Sequence, residues 1–169
     1  MAAATLPRMT DEHGEVRLRA VTDDDLEVFL AYEHDPEAVR RSRFTPRPRD
    51  AFLRHWRVRV LPDPDCFVRT VTVDGAVAGN VCSWTEDGRR LVGYWLGRPY
   101  WGRGIGTRAL GRYLELERIR PLYAEPFHTN TASVRLLERH GFERVDTVAH
   151  EDDGHLLFVL AERDGAGHR

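Results

Sequence analysis

The stretch YWLGRPYWGRGIGTRAL, Tyr94 to Leu110, joins an apolar, aromatic run to residues with helical spacing, with Gly97, Gly102, Gly104 and Gly106 between them. Its reading decides the fold. A strand that passes through a glycine-rich turn into a helix leaves the first backbone N–H groups of that helix without partners. Such a junction binds phosphate or pyrophosphate; the alternative is a flexible turn. Two familiar phosphate loops are excluded. A Walker A loop needs a lysine, and all 25 basic residues of this chain are arginine. A dinucleotide fingerprint needs a third glycine where Thr107 stands.

Working towards the N-terminus, DPDCFVRTVTVDGAVAGNVCSWTEDGRRLVGYWLG reads as three β-rich runs broken by Asp74-Gly75 and Asp87-Gly88. Asp-Gly between alternating apolar runs is a strong hairpin signal, so an antiparallel meander is predicted from Phe67 to Leu96. VRLRAV, Val16 to Val21, alternates as an edge strand does. Thr22 followed by Asp25 predicts an N-cap for a helix carrying Leu26, Phe29 and Leu30. PRDAFLRHWRVRVL predicts a second helix with Phe52, Leu53, Trp56 and Val60 on its apolar face. Towards the C-terminus, Ile105, Ala109, Leu110, Tyr113 and Leu116 keep helical spacing. PLYAEPF is a short strand, NTASVRLLERHGF a helix that starts at Asn130 and ends at Gly141-Phe142, and GHLLFVLAER a closing strand. Strand–helix–strand around Arg103 to Phe127 implies a parallel pair. The fold class is therefore α/β with a mixed, mostly antiparallel sheet and flanking helices, in a single domain over 1–169 with flexible ends at 1–14 and 163–169.

A chain of 169 residues with 41% hydrophobic and 31% charged residues has the composition of a globular domain. The net charge of -2 argues against a nucleic-acid partner. Cys66 and Cys82 fit neither a disulfide framework nor a metal site, and the histidines show no zinc spacing, so no metal and a cytoplasmic setting are expected. MAAATLPRMTDEHGE lacks the apolar core of a signal peptide, and no segment has the length and apolarity of a membrane span.

GYWLGRPYWGRGIGTRAL, followed by NTASVRLLERHGF, resembles the GNAT superfamily of acetyl-CoA-dependent N-acetyltransferases. The W-G-x-G loop and the N-x-x-S helix start resemble the branch that contains ribosomal-protein N-terminal acetyltransferases. The likeness runs from VRLRAVTDDDLEVFLAY to GFERV. It implies that the pyrophosphate of acetyl-CoA rests on the loop amides of Gly102, Arg103, Gly104, Ile105, Gly106 and Thr107, with Trp101 at the loop start. It also implies that Tyr94, Trp95 and Leu96 offer backbone to the pantetheine and that Asn130 contacts its arm. Asn130 reads equally as a helix N-cap, Trp95 and Trp101 as core aromatics, and Arg103 as a solvated side chain.

The resemblance implies acyl transfer to an amine by direct attack on the thioester. Many superfamily members place a tyrosine acid where this chain has Leu137, and the branch often carries a glutamate where it has Leu91. The catalytic candidates left are Ser133, the nearest hydroxyl, which reads equally as a first-turn helix residue bonding to backbone, and Glu125, which YAEPF places within an apolar strand on the face of Tyr123 and Phe127. A carboxylate so placed needs a partner or a function; an internal ion pair with an arginine is the alternative to catalysis. Glu33, Glu86 and Asp87 read as solvated acids, and His34 and His128 as weak catalytic candidates, since a lone loop histidine is usually uninvolved. The acidic run Asp23–Asp25, with Glu33, Asp35 and Glu37, is either a cation-attracting patch or a solvated face. The expected acceptor is an α-amine, such as a protein N-terminus. A small-molecule amine such as an aminoglycoside or polyamine, another acyl donor, and a non-catalytic acyl-CoA sensor are the alternatives. Either a monomer or a homodimer is compatible with the sequence.

Overall fold

Both Asp-Gly pairs turn hairpins. Asp74 and Gly75 have φ of 49° and 82°, and Asp87 and Gly88 of 48° and 74°. Two successive positive φ angles give the type I′ turn whose twist matches the flanking strands. The computed structural model describes residues 14–145 and 154–162. In it β2 (Phe67–Val73), β3 (Ala76–Glu86) and β4 (Arg89–Leu96) form the predicted meander. β1 (Val16–Arg19) pairs antiparallel with β2. β5 (Leu122–Ala124) joins β4 in parallel, and the sheet continues through β7 (Leu157–Leu160) to β6 (Glu143–Val145), in the order β1-β2-β3-β4-β5-β7-β6. The mixed α/β sheet with one parallel pair is the expected fold class. The expected flexible ends lie outside the described residues, Gly14 apart.

Period-two alternation sends the two faces of the meander into two cores. On one face Phe67, Val71, Val81 and Val92 pack against α4 (Ile105–Leu116) and α5 (Thr131–Arg139), which supply Ile105, Leu110, Tyr113 and Leu137. On the other, Val68, Val77 and Cys82 meet Leu26, Phe29, Phe52 and Trp56. These come from α1 (Asp25–Glu33) and α3 (Arg49–Arg54), which a turn of π-helix, His55–Val60, extends. Where two helices were expected before the meander there are three. The extra one, α2 (Pro36–Ser42), follows Asp35, whose carboxylate caps it, with Pro36 at N1. Thr22 is not the cap of α1. Asp24 takes that position, while the Asp25 carboxylate accepts the Thr22 N–H at 2.9 Å.

Of the expected solvated or cation-attracting acids, Asp25 is buried in the fold, Asp23, Asp35 and Glu37 are held in surface ion pairs, and Glu33 is half-buried. Asp25 is buried and accepts both Arg19 nitrogens, at 2.7 and 2.8 Å, and the Thr70 hydroxyl at 2.8 Å. Burial alone would raise its pKa; Arg19, the Thr22 amide and Thr70 together hold it down at about 2. Asp35 pairs with Arg98, and Glu37 with Arg40 and Arg41. Glu33 is half-buried and its pKa is raised by burial, so it is not a plain surface acid. α5 ends as expected, with Gly141 at φ 84° and buried Phe142 donating its N–H to Leu137 O at 3.1 Å.

Candidate active site

The parallel pair is brief, and that brevity makes the site. β4 and β5 register only at Arg90↔Leu122 and Leu91↔Tyr123. Beyond Leu91, β4 runs on to Leu96 paired with β3 alone, while β5 stops at Ala124. The splay opens a cleft of about 720 Å³ between β4, the glycine loop and the start of α5. Of the residues implied for the cofactor, Tyr94, Trp95, Leu96 and Trp101 line it. So do Gly102, Gly104, Ile105, Gly106, Thr107 and Asn130. Arg103 does not: its guanidinium reaches back to Pro99 O at 3.5 Å and lies over the Tyr100 ring.

The glycines of the loop work in two ways. Gly102 and Gly104 have φ of 69° and 70°, and a Cβ on either would meet nothing within 4 Å. Glycine is thus required there by the backbone, and the space before it is open. The first helical bond of α4 is Arg108 N–H to Gly104 O at 3.2 Å, so the amides of Ile105, Gly106 and Thr107 have no acceptor within the helix. Open space in front of unpaired amides at a helix N-terminus fits a diphosphate. Trp101 braces the loop: its indole donates to Leu96 O at 3.0 Å, and the Arg41 guanidinium sits 4.2 Å above its ring. Trp95 donates from its indole to Tyr32 O at 2.9 Å, which ties the cleft wall to α1. Asn130 caps α5, accepting Ser133 N–H at 3.4 Å, and also lines the cleft.

A model of the GNAT acetyltransferase domain matches residues 15–143. The chain belongs to the GNAT acetyltransferases. Like them it is an acetyl-CoA-dependent N-acetyltransferase. A curated relative, an uncharacterized N-acetyltransferase p20 of Bacillus licheniformis, is 26% identical over 89% of this chain and 94% of its own length. Among solved structures, an aminoglycoside acetyltransferase AAC(6')-Ib with coenzyme A and kanamycin superposes with a TM-score of 0.71 at 22% identity, over 87% of this chain and 95% of that one. A domain from Methanocaldococcus jannaschii reaches a TM-score of 0.72 at 17% identity, over 88% and 99%. Among the described residues no helix is long and apolar enough to cross a membrane, and no cluster of three or more His, Cys, Asp or Glu could hold a metal.

The acetyltransferase differs from the sequence expectation at Glu125. β5 ends one residue earlier, so Glu125 does not sit in an apolar strand; it is exposed, and its carboxylate makes no hydrogen bond or ion pair among the described residues. Period-two alternation fails because Pro126 breaks the strand and Phe127 forms only an isolated bridge to His155. The position of Glu125 is nonetheless informative. A second recess of about 270 Å³, lined by Trp84, Leu91 and His155, shares Val92, Gly93 and Glu125 with the cleft. Glu125 therefore stands where the two openings meet.

Ser133 lines the cleft with a partner the sequence did not reveal. Its hydroxyl lies 2.5 Å from the Tyr94 hydroxyl, which β4 presents to the first turn of α5. Burial pushes the Tyr94 phenol up to about 12, against the opposing effect of Ser133. It therefore stays protonated at neutral pH and keeps a proton to donate. Leu137 is buried against the core at the floor of the cleft, and as a leucine it offers no acid there. His34 and His128 bond to backbone carbonyls, of Arg47 and Gly154. Cys66 and Cys82 are free thiols, and burial holds Cys82 at about 12.

Proposed function

We propose that the protein acetylates α-amino groups, with Glu125 orienting and deprotonating the acceptor and the Ser133–Tyr94 pair facing the departing sulfur. The observation that carries this is Glu125: an unpartnered carboxylate on the wall shared by the cleft and the smaller recess. Bound acetyl-CoA supplies the activated acyl carbonyl and a thiolate leaving group. The amides of Gly102 to Thr107 and Asn130 would hold it along the cleft, with Arg103 at most at its rim. An acceptor in the recess meets Glu125, which takes the proton that the amine must lose as the new C–N bond forms. The Ser133 and Tyr94 hydroxyls stand on the cleft side, where they donate hydrogen bonds to sulfur as the C–S bond breaks.

Two features favour an α-amine. A recess of about 270 Å³ is smaller than the roughly 300–1,000 Å³ that encloses a whole drug-sized ligand, and suits the end of a chain. With Leu91 and Leu137 in place of an acid–base pair, the site favours the acceptor that is easier to deprotonate. An α-amine has a pKa of about 7.7–8.0 and a lysine side chain about 10.4, so the neutral form of the first is roughly 300-fold more abundant at neutral pH. This agrees with the resemblance to ribosomal-protein N-terminal acetyltransferases. The test is thiol release from acetyl-CoA against a panel of free-N-terminus peptides, N-blocked lysine peptides, a polyamine and an aminoglycoside. Turnover restricted to the aminoglycoside or polyamine would move the acceptor to the small-molecule class. Cofactor binding without turnover on any amine would make the protein a sensor.

A further inference from the structure

Most arginines that meet an acid here are spoken for. Arg19 is held by Asp25, Arg57 by Asp23, and Arg98 by Asp35. Helix α5 is different. Arg135 and Arg139 are exposed, both line the cleft, and neither makes a hydrogen bond or ion pair among the described residues. Their i,i+4 spacing stacks them on one helix face, about 5–6 Å apart at Cβ.

Their placement against the loop is fixed by neighbours. The His140 ring nitrogen Nε2 lies 2.9 Å from Thr107 O. A Cβ built on Gly106 would lie 3.5 Å from a Leu136 methyl. Leu136 and His140 thus dock α5 on the first turn of α4, and Arg135 and Arg139, one residue before each, flank the loop. In the proposed reading the diphosphate is already met by the loop amides and the N-terminus of α4. Two uncommitted guanidinium groups beside it exceed what a diphosphate needs there, and their fork geometry suits another phosphate. Coenzyme A carries one such group outside the diphosphate, the 3′-phosphate of its ribose.

We infer that Arg135 and Arg139 bind the 3′-phosphate of coenzyme A and make the enzyme select the 3′-phosphorylated cofactor over its dephospho form. The inference rests on the proposed seating of the diphosphate on the loop. The sequence shows the arginine spacing, but not that this pair faces the cleft.

The test is equilibrium binding of coenzyme A and of 3′-dephospho-coenzyme A to the wild type, to Arg135→Ala/Arg139→Ala and to the corresponding double lysine variant. The wild type binds coenzyme A at least about tenfold more tightly at low salt, and the preference shrinks as salt is raised, since the pair is exposed. The double alanine variant binds the two nucleotides equally, with the affinity for the dephospho form unchanged; the lysine variant keeps part of the preference. Equal binding of both nucleotides by the wild type overturns the inference. So does a preference that survives in the alanine variant. An equal loss for both nucleotides assigns the arginines to the diphosphate instead. If neither nucleotide binds the wild type, the cofactor site itself is wrong, and the inference falls with it.

Discussion

Glu117 and Glu125 are carboxylates at opposite ends of the short β4–β5 pairing, and they are held in opposite ways. Glu117 is buried at the C-terminal end of α4, where the helix dipole disfavours an acid. The fold compensates in full. One oxygen accepts the Ser83 hydroxyl and two Arg90 nitrogens, at 3.1 and 2.9 Å, and the other accepts Ile119 N–H at 2.9 Å. Burial would raise its pKa, but Ser83, Ile119 and Arg90 lower it. Arg90 is buried as well and bonds Asp65 O at 2.6 Å. Glu125 is exposed and accepts nothing from the described residues. A charge that serves the fold is saturated by the chain; the one proposed to serve an acceptor is left open, facing a recess. Asp25 belongs with Glu117.

The comparison breaks first at Glu117. Glu117→Ala removes the buried partner of Arg90 and leaves it only the more exposed Asp65 carboxylate, at 3.1 Å, so the cost approaches the about 3–5 kcal/mol of a broken buried pair. The expected outcome is a large drop in denaturation midpoint with cofactor affinity of the folded fraction preserved. A midpoint within a degree or two of wild type would show the network to be dispensable.

Glu125→Gln is expected to do the reverse. Its kcat falls about 10²-fold, or about 2.7 kcal/mol, while the denaturation midpoint is unchanged. A destabilised variant would place Glu125 among the structural acids.

Asp25 gives the pH arm. Its folded pKa of about 2 lies below the unfolded value of about 3.9, so its contribution is fully present above about pH 4 and is lost as pH falls towards 2. The size is about 2.5 kcal/mol. Asp25→Asn flattens the acid limb of the stability profile. An unaltered limb contradicts the assignment.

The smallest effect is expected at Gly104. Gly104→Ala places a Cβ in open space but at φ 70°, at a cost of about 1 kcal/mol. It also narrows the space before the loop amides. Stability should therefore fall only slightly, with a measurable loss of coenzyme A affinity; unchanged affinity would make the loop a plain turn.

What could be read from the sequence followed from local chemistry. Asp-Gly at two hairpins, glycines before a helix, and a glycine closing α5 act within a few residues, so the meander, the loop and α5 were legible. α2 was hidden because its cap, Asp35, reads as one more acid in an acidic run. Apart from the strand break at Pro126, the failures at the site were non-local. The sequence placed Glu125 in a strand because period-two alternation carried through Pro126, whereas the splay of β4 from β5 ends the strand at Ala124. The Ser133–Tyr94 contact joins α5 to β4, and nothing in either segment alone predicts it. The pairing of Asp25 with Arg19 and Thr70 required the packing of α1 on the sheet, which turned an expected solvated acid into a buried one.

The most direct measurement offers the enzyme one peptide carrying both a free N-terminus and a lysine, and locates the transferred acetyl group by fragment mass spectrometry, subtracting the enzyme-free reaction. The account predicts enzyme-dependent acetylation of the α-amine over the lysine side chain on the order of 300-fold at neutral pH, following the difference in their ordinary pKa values. Glu125→Gln should slow that product while leaving coenzyme A binding intact. Comparable enzyme-dependent acetylation of the two amines would contradict the α-amine assignment.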